Sequence, residues 1–334
     1  MKINIRKSHG FSLVELLIAM VVGLVIISGA FSLHSTTRKT QTINEAQMDM
    51  IADARFAIEM ISYDLRHAGM WGGTNKDGLI ACKSSDPVCT ASSAGEILPT
   101  AESGDCRVGW YYDLRRPIFA TDDSVAIKPY SSTCLPSSEG LVVTADILEI
   151  RYADSNATDT ADLLTKQAYI RSNAINGRIF IGPTQPVIDA YDSSSLTQNH
   201  ELQAYVYYIS DHTDAVGDGI PSLRRVALIN GPALQNQTLI SGVANLQVQF
   251  GIDSVTDSDD LIDSYVDPDD VTDWSRVYAA KIWLLMRSNE KQKGIDTTKS
   301  FSIAGAAPKN YGGVGDYRYF LVTSVVNLRN MKQI

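Results

Sequence analysis

At 334 residues, with 44% hydrophobic and 20% charged side chains, the chain has room for an anchor and one large or two small globular domains, and its composition excludes the disordered class. The formal charge is −9, and loss of a leader carrying the three cations Lys2, Arg6 and Lys7 would take −9 to −12. No run of Lys or Arg follows residue 7, so there is no concentrated basic face for phosphate, and direct nucleic-acid binding is excluded as the main role.

Residues 1–10, MKINIRKSHG, are short and basic, and residues 11–33 are apolar apart from Glu15 and a few small hydroxyl residues. That run is long enough to span a bilayer as a helix. Its basic flank places the start in the cytoplasm and everything after His34 in the periplasm. A secretory signal cut after Ala30, with Ser28 and Ala30 as the small residues, would account for the apolar run, and so would an uncleaved anchor. Neither accounts for Glu15, because a carboxylate within an apolar span costs up to ~3 kcal/mol near the bilayer centre.

The stretch Gly10-Phe11-Ser12-Leu13-Val14-Glu15 resembles the cleavage signal of type IV pilins and type II secretion pseudopilins. The resemblance implies cutting by prepilin peptidase between Gly10 and Phe11, N-methylation of Phe11, and an assembly role for the Glu15 carboxylate. A carboxylate and a terminal ammonium in low dielectric attract strongly enough to set the register between neighbouring helices.

Beyond the span, Ile43, Ala46, Met50, Ala54, Ala57, Ile61 and Leu65 recur at spacings of three and four, with Ile51 and Ile58 widening the stripe. Glu45, Asp49, Asp53, Arg55 and Glu59 take the other face, as in an amphipathic helix. No proline interrupts residues 11–66, so one continuous helix is expected, with 34–70 as its amphipathic continuation and Gly69 and Gly72-Gly73 marking its end. A separate core helix is the alternative.

Residues 71–138 read as a loop-rich insertion. All four cysteines, Cys82, Cys89, Cys106 and Cys134, fall in it, and none forms a CxxC pair. An even count behind an export signal suits two disulfides better than a zinc site. Of three connectivities, Cys82–Cys89 with Cys106–Cys134 is favoured. Residues 139–334 read as a β-rich periplasmic head, with strands expected over 141–152, 168–170, 178–181, 202–209, 223–229, 239–252, 277–287 and 317–328. The expected architecture is α+β and pilin-like: a long N-terminal helix packed on an antiparallel sheet, with disulfide-tied loops.

Three further stretches resemble the PilW-type minor pilins: Gly242-Val243-Ala244-Asn245-Leu246-Gln247-Val248-Gln249-Phe250-Gly251, Arg287-Ser288 closing a hydrophobic strand, and the terminal Asn327-Leu328-Arg329-Asn330. The resemblance implies a subunit that helps initiate a type IV pilus or sits at its tip. Its partners would be other minor pilins, the major pilin, prepilin peptidase, the inner-membrane assembly machinery and a tip adhesin. The chain would reside in the inner membrane as a single-pass protein and then in the pilus at the cell surface. A type II secretion pseudopilin J-like subunit and an adhesin head are the alternatives. Trp110-Tyr111-Tyr112 and Tyr205-Val206-Tyr207-Tyr208 are either sugar platforms or half-buried strand residues.

Residues 253–273 hold nine aspartates. Asp257, Asp259 and Asp263 fall at positions 3, 5 and 9 of a calcium-type loop, with Asp253 as a substitute for the first ligand, but Val255 and Asp260 break the pattern. A solvated acidic loop is the other reading, and no cofactor is required. The fragment from Asp214 to Asp218-Gly219 reads as turn chemistry. No nucleophile elbow, HExxH pair or phosphate-cradling loop is present, and the histidines at 9, 34, 67, 200 and 212 never pair at i, i+4, so no enzyme is expected.

Overall fold

In a computed structural model, the residues described are 12–81, 111, 114–122, 135, 139–188, 196–231, 233–254, 259 and 261–331. Two compact units divide the chain between Asp49 and Met50. One helix, α1 (Leu13–His67), runs through both. In the first unit its large apolar side chains from Leu13 to Leu33 are each at least half exposed, and α1 is long and apolar enough to cross a membrane.

The second unit takes α1 from Met50 onward and the strands that follow. These are β1 (Ile80–Ala81), β2 (Ile118–Thr121), β3 (Ile147–Thr158), β4 (Ala168–Ser172), β5 (Gly177–Ile181), β6 (Gln198–Ser210), β7 (Ser222–Ile229) and β8 (Ala233–Ser241). There follow β9 (Val243–Ile252), β10 (Ser264–Val266), β11 (Val277–Arg287), β12 (Lys299–Phe301), β13 (Lys309–Tyr311) and β14 (Tyr319–Asn327). Among the described residues, β1 to β8 form one sheet around β6, which pairs with β3, β4 and β7, and β10-β9-β11-β14 form a second. Pairing is antiparallel except between β1 and β5.

The helical stripe predicts the core. Met50, Ala54, Ala57, Ile61 and Leu65 are buried against Leu148, Ile150 and Ile209 of the first sheet and Leu246, Ile282 and Leu284 of the second. Burial of a large apolar side chain contributes about 1.5–3 kcal/mol, so this face, rather than helix propensity, holds the last turns of α1.

Three expectations change. The strand expected over 239–252 is two strands: β8 pairs with β7 in the first sheet, and β9 pairs with β11 in the second. Gly242 makes the transfer with φ of 80°, and a Cβ there would come within 2.8 Å of the Arg287 carbonyl; only glycine is comfortable in that conformation. The strand expected from 141 starts at Ile147, leaving Leu141 as an isolated bridge to Ser210. Gly72-Gly73 do not end the helix, which stops at His67. A Cβ on Gly72 would lie 2.5 Å from the His200 ring, and one on Gly73 2.6 Å from the Asn173 backbone, so these glycines let the chain press against β4 and β6.

Candidate functional site: the assembly helix and its seat

The first unit carries the residue expected to guide assembly. Glu15 lies in the first turn of α1. Its carboxylate accepts the Ser12 backbone N–H at 3.0 Å, while the Ser12 hydroxyl accepts the Val14 N–H at 3.4 Å. This is a reciprocal capping arrangement, and it satisfies donors that the first turn otherwise leaves bare. Sequence reasoning passed over it, although Ser12-x-x-Glu15 is its signature. A carboxylate here also sits favourably at the positive end of the helix dipole. Gly10 and Phe11 lie outside the described residues, as do Cys82, Cys89, Cys106 and Cys134.

The second unit holds a seat for the last turns of α1, centred on a residue that sequence reasoning did not single out. Asp64 is buried, 4% exposed. The Tyr152 hydroxyl of β3 donates to its carboxylate at 2.7 Å, and the Tyr207 hydroxyl of β6 donates to the other oxygen. Burial pushes Asp64 above its ordinary carboxylate value, against the two hydroxyl bonds and the Arg225 and His67 charges that pull it down. Burial also raises both phenols, with the Asp64 charge adding to the effect, so Tyr152 and Tyr207 remain donors at any physiological pH. Arg225 of β7 lies over the Tyr205 ring at 4.1 Å, and Tyr205 is itself pushed up to about 12, mainly by burial. The missed signal was spacing: Asp64 stands seven residues after Ala57, on the apolar stripe rather than the polar face.

The C-terminal motif closes the end of α1. The Asn330 side chain donates to the Arg66 carbonyl at 3.0 Å, and the Asn330 backbone carbonyl accepts from the Asn75 side-chain amide at 3.2 Å. Leu328 and Met331 join the core that buries Ile61 and Leu65. Gly69, with φ of 77°, packs beside Met331. A C-terminal helix carbonyl has no partner within its own helix, and Asn330 supplies one.

The acidic segment is put to other uses where it is described. Asp253 is 3% exposed and pairs with Arg276 at 2.8 Å, and the same guanidinium donates to the Asp253 and Ser254 carbonyls. Asp263 accepts the Ser254 amide at 2.7 Å, and Asp259 accepts the Leu261 amide at 3.0 Å. Asp257 lies outside the described residues. Among the described residues, no group of three or more His, Cys, Asp or Glu is placed to hold a metal ion. Of the aromatic runs, Tyr207 and Tyr208 are wholly buried and Tyr205 is half-buried, which is the strand reading. Asp218 accepts from the Thr213 hydroxyl and the Ile220 amide, as turn chemistry predicts.

Two protein families match the chain. The prokaryotic N-terminal methylation motif covers residues 5–31, and the family described as type IV pilus-assembly protein W covers residues 206–330. Together the two matches support a type IV pilus minor pilin of the PilW family. No curated protein and no solved structure matches it. The PilW match starts at Val206, one residue before Tyr207, and ends at Asn330. It thus includes one of the two Asp64 donors, the sheet transfer at Gly242 and the cap on α1. The first family supplies the anchor of a membrane-held pilin and the second most of the surface that seats its helix. Such domains are structural subunits, and membership in the family implies contact with other pilins and with the pilus assembly machinery.

Proposed function

We propose that this PilW-family subunit helps initiate a type IV pilus or occupies its tip. In this reading prepilin peptidase cuts between Gly10 and Phe11, Phe11 is methylated, and Glu15 then exchanges its local cap for the terminal ammonium of a neighbouring subunit. The observation that carries the reading is the continuity of α1: a single helix bears the methylation motif at one end and, through Asp64 and Asn330, is fastened into the head at the other.

Gold labelling of a tagged head on intact filaments tests the position. Label confined to filament ends supports the proposal, and label spread along the shaft contradicts it. Glu15→Ala should leave cleavage intact and lower recovery of the chain in sheared filaments. Normal recovery would remove the assembly role of that carboxylate.

A further inference from the structure

The second sheet ends in two edges of unlike character. β14 is the long one. The bonds Leu328 N–H to Tyr278 carbonyl and Ser288 N–H to Arg318 carbonyl, each 2.9 Å, flank the β11–β14 ladder and set its phase. Residues 320, 322, 324 and 326 therefore bond to β11, and the backbone groups of Tyr319, Leu321, Thr323, Val325 and Asn327 point away from it. No hydrogen bond to those outward groups occurs among the described residues. Between 319 and 327 there is no charged residue and no proline, so the usual means of blunting an edge are missing. Val325 is 52% exposed. Arg318 and Arg329 bracket the strand, and residues 317–331 contain no acid.

The opposite edge, β10, is three residues long and has acids on both sides: Asp259 and Asp263 before it, Asp267, Asp269 and Asp270 after it. Leu261 at 63%, Ile262 at 37% and Tyr265 at 39% exposure add apolar surface between those acids. Pairing like edges is unfavourable. Two β14 strands placed antiparallel would bring Arg318 against Arg329, and two β10 edges would bring acids together.

We propose that the acid-flanked β10 edge of one copy docks on the cation-flanked β14 edge of a second copy of this chain, extending the sheet head to tail. Because the edges differ, the contact is heterologous, and each added copy leaves one edge of each kind open. The ladder is short, so charge sets much of the affinity and salt weakens it. The acidic segment thereby acquires a partner in the chain itself.

The test uses the full chain in detergent, examined by sedimentation at about 0.05 M and about 0.5 M salt. Association is expected to weaken about tenfold at the higher salt. R318E/R329E and D259K/D270K should each remain monomeric, and their mixture should associate again, since the unaltered β10 edge of the first meets the unaltered β14 edge of the second. A photo-crosslinking residue at exposed position 325 should capture a peptide from 259–276 of a second copy. The proposal is overturned if the wild-type chain is monomeric at low salt, if folded charge-reversed variants associate as wild type, or if position 325 captures only other proteins.

Discussion

Tyr207→Phe deletes one hydroxyl and leaves the ring volume in place. In the folded chain this hydroxyl and that of Tyr152 are the donors to the buried Asp64 carboxylate, and no solvent replaces the lost one at 4% exposure. A hydrogen bond to a charged acceptor is worth about 1.5–3 kcal/mol, so a loss of roughly 2 kcal/mol is expected. Tyr205→Phe is the control, since that hydroxyl donates to Gln203 instead. In an Asp64→Asn background the cost of Tyr207→Phe should fall by about 1 kcal/mol, because the acceptor is neutral. The pH dependence has a definite sign. Asp64 is raised above its ordinary value of 3.8, so above that value the folded chain holds more protons than the unfolded one. The contribution of this group to stability is fully present below pH 3.8 and is lost as pH rises through the raised folded value. Wild type should therefore gain on Asp64→Asn as pH falls from neutral toward 4. The cost of Tyr207→Phe, which raises Asp64 further, should shrink over the same range. The assay is urea unfolding of the detergent-solubilised chain by near-ultraviolet circular dichroism. A Tyr207→Phe effect below about 0.5 kcal/mol, or an Asp64→Asn difference independent of pH, would refute the reasoning.

Leu328→Ala, a truncation in the core beside α1, should cost about 2–5 kcal/mol by urea unfolding, while Asn330→Ala, which strips the cap from the Arg66 carbonyl, should cost about 1 kcal/mol and raise amide exchange in the last turn of α1. Arg276→Ala leaves the buried Asp253 carboxylate without its ion pair, and urea unfolding should report a loss of stability; a smaller loss on Asp253→Asn/Arg276→Ala would show that the stranded charge causes it. Gly72→Ala drives a Cβ into the His200 ring and the Ser172 hydroxyl at a φ of 79°, and thermal unfolding should report a loss larger than the ~1 kcal/mol of an ordinary strained turn glycine.

Much of this fold could be read from periodicity. The stripe from Met50 to Leu65 is the buried face of α1, and the alternation from Ala244 to Ile252 is β9, because burial on one side forces a period in each case. Short strands escaped, since β10, β12 and β13 offer three residues each, too few to show a pattern. The break at Gly242 escaped because a change of partner strand, from β7 to β11, leaves no mark in the local sequence. Glu15 was legible as an anomaly within an apolar run. Asp64 was legible only as an acid on the apolar stripe, and its role depends on the tyrosines opposite it, 88 and 143 positions away. The roles of Asn330 and Gly72 likewise depend on contacts distant in sequence.

The central claim is that the N-terminus of α1 is a processed assembly end rather than a plain anchor. The mass of the mature N-terminus, compared in cells with and without prepilin peptidase, tests it most directly. A chain beginning at Phe11 with one added methyl group, and an uncut chain when the peptidase is absent, is the expected result; a chain beginning at Phe31, or one that retains residues 1–10 in both cells, would contradict it.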